Sequence, residues 1–178
     1  VALLGATGAL AITVLLSTVI TNLASFSGLA GEESLYLTLF GGIDVAGLLL
    51  AGIVLGALGA LDDVTVTQAS TVWELRRANP ALGLGELTAA GLRVGRDHIA
   101  STVNTLLLAY AGASIPLLLL FGLSRQSFGT IANSEVVAVE IVRTLVGSIG
   151  LVAAVPITTW LAARTVIRIP PQELTGGH

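Results

Sequence analysis

Two neighbouring aspartates, Asp62 and Asp63, are the residues of this sequence best suited to chemistry. They are the only charged residues between Val45 and Val72, a stretch that measures about 42 Å as a helix. An ionised carboxylate inside a bilayer costs at least about 2.5 kcal/mol, so the pair should be protonated, hydrated or paired. Because adjacent carboxylates repel each other, reversible binding of a proton is favoured. We predict a proton or cation relay; the alternative is two solvated charges at the lipid headgroups.

A second polar set follows further along the chain. Asp97, Ser101, Asn104 and Thr105 recur at spacings of three and four, so they share one face of a helix. We predict that Ser101, Asn104 and Thr105 contact the aspartate pair as hydrogen-bond partners, because a polar face in an apolar bundle should look inward. Helix-packing hydroxyls near the membrane surface are the alternative. His98, beside this face, is interpreted as an interfacial packing residue.

The elements that position these residues are predicted to be membrane-spanning helices. Of the 178 residues, 54% are hydrophobic and 11% are charged, with a mean hydropathy of +0.92. A soluble domain carries roughly 25% charged residues, so most of this surface must face lipid. The fold class is therefore an all-α transmembrane bundle in the lipid bilayer, with a domain at 1–163 and a tail at 164–178. The four spans cover about 3–23, 45–72, 99–123 and 137–163.

Signals between the spans add detail. Asn79-Pro80 should end the second helix. The segment Glu86–His98 places Leu87, Gly91 and Val94 on one stripe, which predicts a short amphipathic helix on the membrane surface. Pro116 and Pro156 should kink the third and fourth spans. The tail, which contains Pro170-Pro171 and ends in GGH, should be irregular.

The distribution of arginine predicts the orientation. One side of the membrane carries most of the positive charge: Arg76, Arg77, Arg93, Arg96, Arg164 and Arg168. The loops on the other side carry Glu32, Glu33, Asp44 and Arg125. The positive-inside rule places the arginine-rich side and the C-terminus in the cytoplasm.

Other residues receive structural interpretations or exclude a class of function. Gly52, Gly56 and Gly59 are predicted to let helices pack closely, and Glu140 should pair with Arg143. The chain has no cysteine and two histidines, so no metal site or cofactor is expected, and an intramembrane enzyme is disfavoured. The net charge of −3 gives no sign of nucleic-acid binding. Methionine is absent, including at position 1, which suggests that some upstream sequence is missing.

Two stretches, GALGALDDVTVTQASTVWELRRANP and GRDHIASTVNTLLLAYAGASIPLLLLFG, resemble the YibE/F family of bacterial multi-pass proteins. The resemblance covers about residues 3–163 and implies a bacterial cytoplasmic membrane. A more distant similarity links the chain to the resistance-nodulation-division transporters and to the SecD and SecF secretion proteins. It lies in the aspartate pair, in Glu74, Arg76 and Arg77, and in Ser101, Thr102 and Thr105. The four spans would then be the third to sixth helices of a six-helix half-transporter. Many of those transporters pair the aspartates with a lysine, and this chain has none.

Two functions remain open from the sequence. One is a proton-coupled transport or energy-coupling subunit in which Asp62 and Asp63 carry the proton. The other is a non-catalytic membrane scaffold or accessory subunit that packs against other membrane helices or subunits. In the second case the aspartates would only fix the register of the helices.

Overall fold

The computed structural model describes residues 1–29, 36–37, 39, 41–123 and 127–170. The helices within this part of the chain are α1 (Ala2–Ala24), α2 (Val45–Ala78), α3 (Leu84–Ala113), α4 (Ile115–Leu123), α5 (Phe128–Ala132) and α6 (Glu135–Val166). Three of them are long and apolar enough to cross a membrane, and α3 with α4 forms a fourth if the bent pair counts as one span. The predicted all-α membrane fold is confirmed.

Helices α1, α2 and α6 form the centre of the bundle through small residues. A Cβ built at Gly5 would overlap the side chain of Thr158, and one built at Gly150 would lie 2.5 Å from Thr13 Oγ1 and 3.7 Å from Leu61 Cδ2. Residue numbers therefore rise along α1 as they fall along α6, and α1 runs antiparallel to α6. The face of α1 that packs in the bundle is buried at every fourth position: Gly5, Ala9, Thr13, Ser17 and Thr21.

Helix α3 begins earlier than the sequence predicts. The short surface helix predicted at Glu86–His98 is wrong as a separate element, because Leu84–Ala113 is one continuous helix. Proline is absent from that segment, so nothing breaks the hydrogen-bond ladder. Its buried residues are Leu87, Gly91 and Gly95. This stripe packs against α2 and α6, which is why it is not free to lie on a lipid surface.

The predicted kink at Pro116 is confirmed. Helices α3 and α4 meet at an angle of 48°, immediately before this proline, whereas α6 continues through Pro156 as one helix. No residue of α4 is buried against the rest of the described chain. Beyond the buried part of α3, the α3–α4 pair leaves an apolar groove of about 300 Å³ beside the first half of α6.

Side chains fix both ends of α2 through hydrogen bonds to the backbone. The side chain of Asp44 caps α2 by accepting a hydrogen bond of 3.0 Å from the Gly47 N–H. At the other end, Arg76 is buried and its Nη1 donates to the Leu82 carbonyl at 2.7 Å, which ties α2 to the turn before α3. Three predicted features lie outside the described residues: the loop charges Glu32 and Glu33, Arg125, and the tail from 171 to 178.

A carboxylate missed in the sequence ties two ends of the bundle together. Glu135, in the first turn of α6, accepts hydrogen bonds from Ser27 Oγ and from the Gly28 N–H, each at 2.8 Å. Gly28 has a φ of +73°, a conformation that glycine adopts without strain. The α1–α2 connection is thus held against α6.

We expect Glu135→Gln to lower the stability of the detergent-solubilised protein by about 1–2 kcal/mol, because an amide replaces a charged acceptor of two hydrogen bonds. Thermal unfolding of the purified protein measures this change. Glu74→Gln is the matched control, since the one ion pair that Glu74 makes within the described part of the chain is an exposed pair with Arg77. An equal loss in both variants would contradict the structural role of Glu135.

Candidate functional site

The aspartate pair lies on the outer surface of the bundle. Both side chains are exposed, and neither makes an ion pair within the part of the chain that the structure describes. Neighbouring hydroxyls do not satisfy the carboxylates: Thr65 Oγ1 donates to the Asp62 carbonyl at 3.1 Å, and Thr67 Oγ1 to the Asp63 carbonyl at 2.6 Å. The two carboxylates are therefore free to meet a proton, water or a partner helix.

The height of the pair in the bundle follows from its neighbours. Leu61, immediately before the pair, meets Gly150 of α6, and α2 runs parallel to α6 because Gln68 contacts Thr159 further along. At about 1.5 Å per residue, the pair lies about 13 Å from the level of Arg143 and about 18 Å from the level of Arg164. Those two arginines are about 31 Å apart along α6, close to the thickness of a hydrocarbon core.

Helix α1 gives the same height independently. Thr13 meets Gly150 and is the central residue of Ala2–Ala24, an uncharged helix about 34 Å long. The aspartates lie one or two residues beyond this level. The pair is therefore near the middle of both α1 and the uncharged part of α6.

Helix α3 brings other charges close to this height. Gly91 meets Thr159 and Gly95 meets Val155, so α3 is antiparallel to α6, and its next charged residues, Arg96 and Asp97, reach the level of 153–154. Both are exposed. Ionised groups at this depth require water or an extended side chain that reaches the interface. The outer face of α3 therefore offers the aspartates a polar path from the arginine-rich end of the bundle, where Arg76 and Arg164 lie.

The two aspartates face different surroundings. Asp63 is seven residues after Gly56, so both lie on one face of α2, and a Cβ built at Gly56 would lie 3.7 Å from Tyr110 Oη of α3. Asp62 is seven residues after Leu55, which is 66% exposed. Asp63 therefore lies on the side of α2 next to α3, and Asp62 points about 100° away from Asp63 around the helix.

The predicted partners lie on α3 beyond the level of the pair and do not touch it. Counted from Gly95, which is level with Val155, Ser101 is about 4 Å past the pair, and Asn104 and Thr105 are about 8–10 Å past it. Ser101, Asn104 and Thr105 are exposed on α3, in the part of that helix that runs past the aspartates. Thr105 Oγ1 donates to the Ser101 carbonyl at 2.9 Å. No hydrogen bond joins these three side chains to a carboxylate among the residues with a described structure. Their role as partners stays a prediction.

A family model described as YibE/F-like protein matches residues 1–168. The chain belongs to this family. Comparison with curated proteins and with solved structures finds no match. The YibE/F assignment accounts for the multi-pass architecture; the more distant similarity to the SecD, SecF and resistance-nodulation-division proteins stays a prediction.

The glycines of α2 that were predicted to pack have little against them among the described residues. A Cβ at Gly52 or Gly59 would meet nothing within 4 Å, and one at Gly56 meets only Tyr110. With Asp63, these glycines form one exposed strip of α2, which we name the glycine–aspartate face (Gly52, Gly56, Gly59 and Asp63). Packing of this face against a partner helix stays a prediction.

Helix α2 also carries a buried polar group that was not predicted from the sequence. Gln68 is fully buried and its Nε2 donates to the Gly91 carbonyl at 2.8 Å and to Thr159 Oγ1 at 2.7 Å. Its signal was available: Gln68 is seven residues after Leu61 and four before Val72, so it shares their face of the helix. This position on an apolar face indicates that the one amide of the stretch TVTQAST points inward.

The other charged or titratable side chains of the bundle make local contacts or remain without an assigned role. Arg143 pairs with Glu140 at 3.3 Å, as predicted. His98 is half-buried, and its interpretation as a packing residue stays a prediction. Arg164 lies 5.1 Å from the centroid of the Trp160 ring, a cation–π contact. No group of three His, Cys, Asp or Glu side chains that could hold a metal occurs among the described residues.

Proposed function

We propose that the YibE/F chain is a non-enzymatic, proton-coupled transport or energy-coupling subunit in which Asp62 and Asp63 take up and release the proton. The observation that carries this proposal is the height of the pair. The pair follows Leu61, which meets Gly150 in the uncharged part of α6, at the level where Thr13, the midpoint of α1, meets the same glycine. Carboxylates at that depth are costly when ionised. Protonation removes this cost, so the pair responds to the proton concentration of any water that reaches it.

The charged face of α3 gives this proton a route. Arg96 and Asp97 are exposed close to the height of the pair, and Ser101, Asn104 and Thr105 continue the polar surface past it. Hydroxyl, amide and carboxylate groups together can hold hydrogen-bonded water along α3. The proton would enter from the arginine-rich end and reach Asp63 first, because Asp63 lies on the α3 side of α2.

The test is proton movement across vesicles that contain the purified protein and an internal pH-sensitive dye. After a pH step, the wild type should relax at least tenfold faster than the double variant Asp62→Asn/Asp63→Asn, at equal protein content and orientation. Equal relaxation rates would refute the relay. The amide variants keep the shape of the side chains and remove the titratable proton, so insertion should be unchanged.

A second candidate function, a membrane scaffold or accessory subunit, is favoured by the glycine–aspartate face. Glycine strips allow close approach of another helix, and this strip is exposed in the chain by itself. Under this alternative, Asp63→Asn would change which membrane proteins co-purify and would leave proton movement unaltered. Affinity purification of the wild type and of Asp63→Asn from native membranes, together with the vesicle assay, separates the two functions.

We further propose that the arginine-rich end faces the cytoplasm of a bacterial inner membrane, by the positive-inside rule. The chain contains no cysteine, so single cysteines report orientation without background. An impermeant maleimide added to intact cells should label Gly129→Cys in α5 and should fail to label Gly85→Cys at the start of α3. The reverse pattern would invert the orientation.

A further inference from the structure

Gln68 joins three helices at one point. Its two amide N–H groups are both used, one on the Gly91 carbonyl of α3 and one on Thr159 Oγ1 of α6. Thr159 in turn donates to the Val155 carbonyl at 2.6 Å. A buried amide in an apolar bundle is costly unless it is hydrogen-bonded, so this group favours one arrangement of α2, α3 and α6 over neighbouring arrangements.

The glycines of α3 allow that arrangement. A Cβ built at Gly95 would lie 3.0 Å from both Nε2 and Oε1 of Gln68 and 2.5 Å from Val155 Cγ1. The α-hydrogen that occupies this direction therefore points at the amide. The amide oxygen accepts no hydrogen bond from the residues that the structure describes, and a Cα–H···O contact is the interaction available to it there. A Cβ at Gly91 would meet Thr159 Cγ2 at 2.8 Å.

This contact holds α3 at one end. The buried residues of α3, namely Leu87, Gly91 and Gly95, all lie in its first half. From Ile99 onward its apolar side chains are at most partly buried, and α4 beyond it has no buried residue. The position of α3 along α2 is therefore set where Gln68 meets Gly91 and Gly95.

We infer that Gln68 is a positioning residue that fixes the register of α3 against α2 and thereby holds Ser101, where the polar face that continues to Asn104 and Thr105 begins, close to the height of Asp63. The register can be measured without any assay of function. The consequence for proton transfer rests on the proposed function, because it requires that Asp63 exchange its proton along α3.

Disulfide cross-linking measures the register, since the chain has no cysteine of its own. Ala60 of α2 packs on the same core cluster as Ile99, Val103 and Leu106 of α3. With Ala60→Cys and one cysteine at each α3 position in turn, copper-phenanthroline should produce a sharp maximum at Val103, the position set by the antiparallel pairing of α2 and α3.

We expect Gln68→Met, which keeps the length and removes both donors, to lower the cross-link at Val103 at least fivefold and to spread the profile over Ile99 and Leu106. Gln68→Asn keeps the amide but reaches less far, so its profile should lie between those of wild type and Gln68→Met. Gly95→Ala should shift the profile too. Two matched controls should leave it unchanged: Thr71→Val, whose hydroxyl bonds only within α2, and Gly85→Ala, where a Cβ meets nothing.

An unchanged profile in Gln68→Met and Gly95→Ala overturns the inference. If Gln68→Met does not accumulate in the membrane, the graded comparison of Gln68→Asn and Gly95→Ala with their controls decides it. The vesicle assay separates this outcome from a failure of the proposed function. A shifted register together with unaltered proton movement in Asp63→Asn would leave the positioning role standing and remove the relay.

Discussion

Replacing Asp63 by asparagine should lower proton movement in vesicles at least tenfold, whereas Asp62→Asn should lower it less. The difference follows from the faces of α2 on which the two residues lie. Asp63 shares its face with Gly56, which meets Tyr110 of α3, so it borders the polar surface along which the proton would travel. Asp62 shares its face with Leu55, which is 66% exposed and for which no contact with α3 is described, so we expect Asp62 to contribute mainly through its charge beside Asp63.

The control for this pair is Asp44→Asn. Asp44 caps the start of α2 through the Gly47 N–H, and asparagine caps a helix about as well as aspartate, so proton movement should be unchanged. Equal losses in Asp62→Asn and Asp63→Asn would contradict the assignment of the two faces. Equal losses in all three variants would show an effect of charge on insertion and not a relay.

The membrane fold could be predicted from the sequence because lipid demands long apolar helices and the sequence has few charges to interrupt them. The bounds of α1 and α6 were predicted within a few residues for this reason. Helix α3 was divided wrongly, since Arg93, Arg96 and Asp97, away from the stripe that begins at Leu87, were interpreted as the polar face of a separate surface helix. They are exposed on one side of a continuous helix, and charge on an outer face does not end a helix.

The inward faces were harder to predict than the spans. In a soluble helix the hydrophobic stripe marks the buried side, but here apolar residues occupy both sides. The buried positions of α1 are instead small or weakly polar, as with Thr13 and Ser17, and two of the three on α3 are glycines. The depth of the aspartates could be argued from charge spacing, whereas their exposure depends on which face α1 and α6 cover, and that requires the packing.

Some glycines of the bundle are buried and others are exposed, and we expect the largest effect on folding from substitution of a buried one. Gly150→Leu should prevent accumulation of folded protein, because even a Cβ there would lie 2.5 Å from Thr13 Oγ1 and the rest of the leucine has no space between α1, α2 and α6. Overpacking costs about 1–3 kcal/mol where a core can adjust. Three helices meet at Gly150, so we expect a loss at the upper end, seen as reduced monodisperse protein in size-exclusion chromatography.

Gly52→Leu makes the same chemical change at an exposed position of α2 and should leave the isolated chain folded, because a Cβ at Gly52 meets nothing within 4 Å. Its effect should fall on association, since a leucine there would hold a partner helix away from the glycine–aspartate face. Normal elution of purified Gly52→Leu together with loss of co-purifying membrane proteins would show that this face is an interface. Loss of folded protein in both variants would contradict the packing of α2 derived above. If Gly52→Leu is folded and keeps every co-purifying membrane protein, the glycine–aspartate face is not an interface. The exposure of Asp63 would then be explained by proton exchange with water alone, and not by contact with a partner helix.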